Sequence, residues 1–158
     1  MLKELLGMNE GILQDLYEDH RKVAGMIDTL LETEDGGERS RLFKEMMTEL
    51  TVHLDAEQRV LYRKMEKSAE EKTRKFAFEG TNEHQIAEMQ LQQMAKARNK
   101  AGEQWTAQLT VLRELVNHHV EEEESTGWSC ARKEFDREEL DKMREQFRRQ
   151  KEKLMTEA

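Results

Sequence analysis

Four of the five histidines in this sequence lie one each on four successive segments whose apolar residues recur at helical spacing. These four are His20, His53, His84 and His119. His20 continues an apolar row with Leu16 and Val23. His53 continues a row with Leu50, so both rings are predicted to face the interior. Because buried polar rings need partners, the fold must bring these side chains together or give each of them a partner of its own.

A glutamate follows two of these histidines at a distance of four residues. The pairs are His53 with Glu57 and His119 with Glu123. Residues four apart share one face of a helix, so both carboxylates are predicted to point inward as well. A buried carboxylate without a compensating cation is costly. The pattern therefore predicts a bound cation, and the net charge of −8 suits a cation site.

The rest of the sequence favours helices throughout. It has no proline, 38% charged residues and only 6% aromatic residues, which is typical of uninterrupted amphipathic helices and not of strands. We expect an all-α fold: an up-down-up-down four-helix bundle with an additional C-terminal helix. A length of 158 residues predicts a single domain over residues 1–158, with the bundle at about 9–126 and the last helix at about 136–156.

Caps and helix breakers give the expected helix boundaries. The predicted helices run from about Asn9 to Thr33, Glu38 to Lys67, Ser68 to Lys100, Glu103 to Ser125 and Asp136 to Leu154. We expect Asn9 and Ser68 to be N-caps, residues 34–37 to form a loop, and Gly127 to end the fourth helix. Paired histidines on neighbouring helices lie at nearly equal distances from their shared loop, so antiparallel packing puts all four in one layer.

Charge, cysteine content and hydropathy exclude several classes of partner. Basic residues form no block, so we expect no binding to nucleic acid. A single cysteine, Cys130, cannot form an internal disulfide. No apolar run has the length of a membrane span or of a signal-peptide core, so we expect no membrane association and a cytoplasmic location. The expected state is a monomer or a homodimer.

The donor types indicate which metal would bind. Inward histidine and glutamate side chains from all four helices of a bundle commonly hold a dinuclear iron or manganese site. Imidazole suits iron, zinc and copper, whereas bridging carboxylates favour harder metals, so the mixed set favours iron or manganese over zinc. Ferritin-like di-iron proteins use Glu-x-x-His, whereas this sequence has the reverse order, His-x-x-x-Glu.

At these motifs the sequence resembles the hemerythrin-like family, also called the HHE cation-binding domain. The matching stretches are Leu16–His20, His53–Tyr62, Glu83–His84 and His119–Glu124, within a resemblance that covers about Asn9 to Phe135. The resemblance implies a four-helix bundle that holds two iron ions with a bridging oxo or hydroxo group. It further implies that the four inward histidines are terminal ligands and that Glu57 and Glu123 bridge the metals.

The sequence departs from the family pattern on the third helix. Oxygen-carrying members typically have a second histidine four residues after the first, where this chain has Glu88. Glu88 could be a further metal ligand, an acceptor that orients an imidazole, or a solvated charge. We include it in the predicted metal set. Gln58 also stands where members commonly have glutamate, and the Phe-Pro that commonly follows each glutamate motif is absent.

Other polar residues near the motifs are expected to lie at the surface or to contribute to packing. His118 lies about 100° around the helix from His119 and is expected at the surface, with ligation as the alternative. The glutamates from Glu121 to Glu124 are expected to be solvated, except Glu123. Tyr17 and Tyr62 lie about one turn from candidate ligands, and packing is favoured over a radical or proton-transfer role. Nothing marks Cys130 as a nucleophile.

Together these features predict a non-haem di-iron protein that handles a small oxidant, either O₂ or H₂O₂. A carboxylate at Glu88 would stabilise ferric iron and disfavour reversible O₂ carriage, so catalase-like dismutation of H₂O₂ is the leading hypothesis. The alternative is a module that senses or binds O₂, redox state or iron without turnover, or that stores iron. For sensing, the candidate partner surface is the basic end of the last helix, with Arg148, Arg149, Lys151 and Lys153.

Overall fold

The computed structural model describes residues 9–158, which form five helices and, within that range, no strand. The helices are α1 (Ile12–Glu32), α2 (Gly36–Glu57, continued by a π-helical turn Gln58–Tyr62 and by Arg63–Met65), α3 (Glu71–Lys96), α4 (Glu103–Glu122, continued by a π-helical turn Glu123–Gly127 and by Trp128–Glu134) and α5 (Arg137–Glu157). The predicted all-α class is confirmed. The predicted domain range includes residues 1–8, which lie outside the described part of the chain.

The first helix begins later than predicted. Gly11, not Asn9, is its N-cap, with a φ of 49° that side-chain-bearing residues rarely adopt. A Cβ at Gly11 would lie 2.3 Å from the carbonyl carbon of Leu140 in α5, so the glycine also allows close backbone contact. Asn9 instead accepts a hydrogen bond at 2.9 Å from Arg132 through its side-chain oxygen.

The starts of α2 and α3 also differ from the prediction. Asp35 accepts a hydrogen bond from the backbone N–H of Glu38, and this cap draws Gly36 and the following glycine into the first turn of α2. The predicted loop is therefore shorter. Ser68 is not the N-cap of α3. Its hydroxyl accepts from the N–H of Glu70, which is the residue at the cap position.

The prediction that Gly127 ends the fourth helix is wrong. The chain passes through Gly127 in a π-helical turn and stays helical as far as Glu134. A Cβ at Gly127 would lie 2.4 Å from the ring of Phe76, so this glycine permits close packing between α4 and α3. Both π-helical turns occur where a candidate bridging glutamate stands, after Glu57 in α2 and beginning at Glu123 in α4. Such turns occur frequently at functional sites.

The first four helices pack in a ring, because α1 and α3 each contact both α2 and α4. The interior contains two apolar clusters. One includes Leu13, Tyr62, Trp128 and Phe147, and the other includes residues such as Trp105. On α1, α3 and α4 the inward histidine lies between the residues of these two clusters in sequence, and on α2 His53 lies where the second cluster gives way to the first. Among the described residues, no helix has both the length and the apolar character that crossing a membrane requires.

The fifth helix covers α1 and α2. A capping box at Asp136 and Glu139 starts it. The nearly buried carboxylate of Asp15 accepts hydrogen bonds from Arg144 and Arg148, and Lys151 donates to Asp19. Two of the basic residues that were expected to form a partner surface, Arg148 and Lys151, therefore hold α5 against α1.

The two helical glycines Gly127 and Gly25 provide a matched test of this packing. Gly127→Ala should destabilise the fold by about 1–3 kcal/mol, because the added methyl group overlaps Phe76. Gly25→Ala should leave stability unchanged or raise it by up to about 1 kcal/mol, because nothing lies within 4 Å of the new Cβ and alanine is the better helix former. Denaturant unfolding measures both. Equal effects would contradict the packing role of Gly127.

Candidate metal centre

The structure places the four inward histidines, one from each helix of the ring, in one buried layer. They are His20 on α1, His53 on α2, His84 on α3 and His119 on α4, none more than 7% exposed. The ring centroids of His20 and His53 lie 5.1 Å apart, and those of His84 and His119 lie 4.7 Å apart. Glu57 and Glu123 have no exposed surface.

These six side chains form two overlapping groups whose candidate ligand atoms lie within 4.8 Å of one another. The first group is His20, His53, Glu57 and Glu123, and the second is Glu57, His84, His119 and Glu123. Each group has two imidazoles of its own, and the two groups share both carboxylates. This is the arrangement that a pair of metal ions bridged by carboxylates requires.

Every histidine of the layer is oriented by a hydrogen bond from its Nδ1. The four pairs are His53 with Asp19 (2.9 Å), His84 with Gln58 (2.8 Å), His119 with Glu83 (2.8 Å) and His20 with Glu124 (2.7 Å). In three pairs the acceptor belongs to the preceding helix, and the acceptor on α4 serves the histidine of α1. The pairs thus form a closed circuit around the bundle, the imidazole–acceptor ring.

The acceptors determine which nitrogen is available for a metal. An ionised carboxylate or the carbonyl oxygen of an amide cannot donate, so each Nδ1 carries the proton. The Nε2 atom of each neutral ring then presents a lone pair to the centre of the bundle. Metal-binding histidines are commonly fixed in this way by a second hydrogen bond.

The central atoms lack the partners that burial requires. Nε2 of His20 and of His53, both oxygens of Glu57 and Oε1 of Glu123 make no hydrogen bond. Nε2 of His84 and of His119 lie 3.0 Å apart, so two neutral rings would oppose their lone pairs. A cation, either a proton or a metal, must lie among these atoms.

The distances fit metal coordination. Nε2 of His20 lies 3.0 Å from Oε1 of Glu123, and Nε2 of His84 lies 3.0 Å from Oε1 of Glu57. Donors about 2.0–2.1 Å from one ion are separated by about 3 Å when they are adjacent. Four nitrogen donors with two carboxylates suit iron or manganese. The residues present therefore fit a metal pair.

Protons occupy this site when metal is absent. Burial lowers the pKa of His20, but the carboxylates of Glu123 and Glu124 outweigh it and raise that pKa to about 9. Burial, together with the neighbouring carboxylate of Glu123, raises the pKa of Glu57 to about 7. Burial and the adjacent His119 lower the pKa of His84 to about 3, so this ring stays neutral.

Sequence reasoning missed the four acceptors and undervalued Tyr62. Glu124 was expected to be solvated, yet it accepts from His20. A usable signal exists, because each acceptor stands next to a candidate ligand in sequence, as Asp19 does beside His20. Tyr62 was assigned to packing, but its buried hydroxyl donates a hydrogen bond to Glu123 and lies 3.1 Å from Nε2 of His119.

Other sequence-predicted residues lie outside the two groups. The side chain of Glu88 lies beside Asp55, and burial with this neighbouring carboxylate raises the pKa of Glu88 to about 7. Ligation by Glu88 stays a prediction. His118 is 66% exposed and pairs with Glu83 at 3.5 Å. Tyr17 packs against an aromatic ring, and Cys130 is buried in the apolar core.

A small cavity of about 20 Å³ adjoins the histidine layer. All four inward histidines line it, together with Asp19, Glu83 and mostly aliphatic side chains such as Val23, Leu50 and Val116. A volume of this size holds one molecule about as large as water. The cavity therefore restricts a ligand to a very small molecule.

Comparison with known proteins gives two findings. A family model described as the hemerythrin HHE cation binding domain matches residues 11–126. The chain is also similar to a protein named DNA nickase from Nostoc sp. (strain PCC 7120 / SAG 25.82 / UTEX 2576), with 26% identity over 147 residues. This match covers 90% of the chain but only 40% of the Nostoc protein. No solved structure matches.

Ligand substitutions should separate inward from outward residues. His53→Ala and Glu57→Ala should each lose most of the bound metal, because each removes a central donor. His118→Ala, the control, changes an exposed histidine and should retain the metal. Metal analysis of the purified variants gives the result, and equal loss in all three would contradict the assignment. In the same assay, full metal content in Glu88→Gln would remove Glu88 from the ligand set.

The pH dependence of stability should differ between the metal-free and metal-bound forms. A histidine with a raised pKa stabilises the fold below its unfolded value and loses that effect as pH rises through the folded value. For His20 this loss of stability falls in a pH window from 6.5 to about 9. Deprotonation of Glu57 near pH 7 also lowers stability as the pH rises. The melting temperature of the metal-free protein should fall across this window.

Bound metal replaces those protons, so the metal-bound protein should melt at a higher temperature and change little between pH 7 and 9. Thermal unfolding followed by circular dichroism, with and without a chelator, measures both forms. Parallel pH profiles with equal melting temperatures would show that metal does not occupy the buried layer.

Proposed function

This chain belongs to the hemerythrin HHE cation-binding domain family, and we propose that its two histidine–glutamate groups hold a pair of iron ions that react with a small oxidant. The observation that carries this proposal is the sharing of Glu57 and Glu123 between two groups that each have two imidazoles of their own. Two fully buried carboxylates between four nitrogen donors need positive charge from two sides.

We also infer that α1 to α4 run up-down-up-down as one domain. The connections at 33–35, 66–70 and 97–102 are short, which favours antiparallel neighbours. Packing in a ring and a single histidine layer support the same topology.

In this proposal His20 and His53 would hold one iron, His84 and His119 would hold the other, and Glu57 and Glu123 would be available to both. The bound pair would supply reversible redox capacity to the site. Manganese would fit the same donors, and zinc is the alternative without redox chemistry. The chain's own contribution is to present four Nε2 atoms inward and to keep bulk water out.

The cavity supports O₂ or H₂O₂ as the substrate. Its volume of about 20 Å³ excludes larger metabolites. Asp19 and Glu83 are the carboxylates that line it, and both serve as acceptors for imidazole N–H groups. Burial opposes ionisation of Asp19, but His53 and Lys151 lower its pKa to about 2, so it is a poor base. The residues around the cavity therefore confine a small oxidant and leave redox chemistry to the metals.

Our leading hypothesis for the reaction is catalase-like dismutation, in which two H₂O₂ yield two H₂O and one O₂. One molecule is oxidised and the other reduced, so no external electron donor is needed. The similarity to the Nostoc protein does not support DNA cleavage by this chain, because the match covers 40% of that protein and a net charge of −8 opposes binding to DNA phosphates.

A second function, sensing of oxidant or iron, is favoured by a specific contact. Asp19 accepts from His53 and also from Lys151 of α5, and the ring of Phe147 packs on His53 at 5.8 Å. A change in the metal ion held by His53 would therefore alter the contacts of α5 with Asp19 and with the ring of His53. Iron storage without turnover is the third hypothesis.

The iron-loaded chain should contain about two iron atoms and show the near-ultraviolet absorption of a bridged ferric pair. It should release one O₂ for every two H₂O₂ consumed, measured with an oxygen electrode. Glu57→Ala should lose this activity because it lacks a shared donor, whereas His118→Ala should keep it.

One zinc per chain with no such absorption would overturn the di-iron proposal. Two irons without O₂ release would overturn dismutation and favour sensing. In that case hydrogen exchange in α5 should differ between the iron-loaded and iron-free protein, and the absence of a difference would favour storage.

A further inference from the structure

Tyr62 places an oxygen atom among the donors of the second group. Its side chain is completely buried, and its hydroxyl donates to Oε2 of Glu123. The same oxygen lies 3.1 Å from Nε2 of His119, which is close to the 3.0 Å between the Nε2 atoms of His84 and His119. The hydroxyl is therefore spaced from these atoms as they are from each other.

The fold holds this hydroxyl in place. The π-helical turn Gln58–Tyr62 follows Glu57 directly and ends at Tyr62. Gly80 of α3 faces the tyrosine ring, and a Cβ there would lie 2.7 Å from its Cε2 atom. The ring stacks on His84 with centroids 5.1 Å apart and meets Phe76 edge-on at 5.7 Å. Only a glycine at position 80 leaves room for the ring in this position.

The first group has no equivalent oxygen. The corresponding position, five residues after Glu123, is Trp128, which stacks on His20 with an interplanar angle of 13°. Tryptophan has only an N–H donor and cannot supply a lone pair to a metal. The two halves of the centre are alike in histidines and carboxylates but differ at this position.

We propose that Tyr62 is a metal ligand, binding through its phenolate oxygen to the ion held by His84 and His119. The inference rests on the proposed di-iron function. On metal binding the phenol proton leaves to solvent and the oxygen becomes a hard anionic donor, which suits ferric iron. The ion held by His20 and His53 receives no such donor. The two metals would therefore be chemically unequal.

The test is visible absorption and resonance Raman spectroscopy of the full chain loaded with ferric iron. A ferric phenolate gives a charge-transfer band in the visible range and enhanced tyrosine ring vibrations, which histidine and carboxylate ligands do not give. We expect the wild-type protein to show both. Tyr62→Phe should lose the band completely while keeping about two irons per chain. Tyr17→Phe is the matched control and should keep band and iron.

The chain has two tyrosines, so a band that persists in Tyr17→Phe belongs to Tyr62 even where Tyr62→Phe fails to fold. Two irons bound in the wild-type protein without a phenolate band would overturn ligation by Tyr62 and leave the di-iron proposal intact. Tyr62 would then be a hydrogen-bond donor to Glu123. Failure to bind iron would overturn both proposals, and iron analysis on the same sample distinguishes the cases.

Discussion

The burial of two carboxylates, Glu57 and Glu123, at the centre of the bundle is the constraint on which the rest of the structure depends. Neither has exposed surface, and three of their four oxygens make no hydrogen bond. Ionised carboxylates are tolerated at such depth only beside positive charge. Four imidazoles surround them, so protons or metal ions can supply that charge.

The imidazole–acceptor ring links these central residues to the packing of all four helices. Each helix contributes both a histidine and the acceptor for the histidine of a neighbour, as α1 does with His20 and Asp19. A helix that rotated or slid would break two of these hydrogen bonds at once. The ring therefore fixes the relative height and rotation of the four helices, which apolar packing alone specifies less strictly. Because it directs every Nε2 atom to the centre, protons and a bound cation would compete for the same nitrogen atoms.

Helical periodicity in the sequence identified the residues that face the bundle interior but not the acceptors beside them. Helical periodicity places His53 and Glu57 on one face, and the structure brings them to the centre. Acceptors such as Asp19 and Glu83 lie about 100° around their helices from the inward histidines. At that angle, helical periodicity does not show whether a side chain faces a neighbouring helix or solvent. The π-helical turns have no local sequence signature, so neither the position of Tyr62 nor the continuation of α4 through Gly127 could be predicted.

The two halves of the centre have different neighbours, so the centre is not symmetric. On one side His53 contacts Phe147 of α5 and shares Asp19 with Lys151, while on the other His84 stacks on Tyr62. One histidine pair is thus linked to the outer helix through His53, and the other to a buried phenol through His84. The two halves of this single layer therefore have different surroundings.

Anomalous diffraction at the iron edge from crystals of the iron-loaded chain would locate the metal ions directly. We expect two iron peaks per chain, each contacted by two Nε2 atoms, with Glu57 and Glu123 contacting both peaks. A single peak, or iron bound through any Nδ1 atom of the histidine layer, would contradict this arrangement.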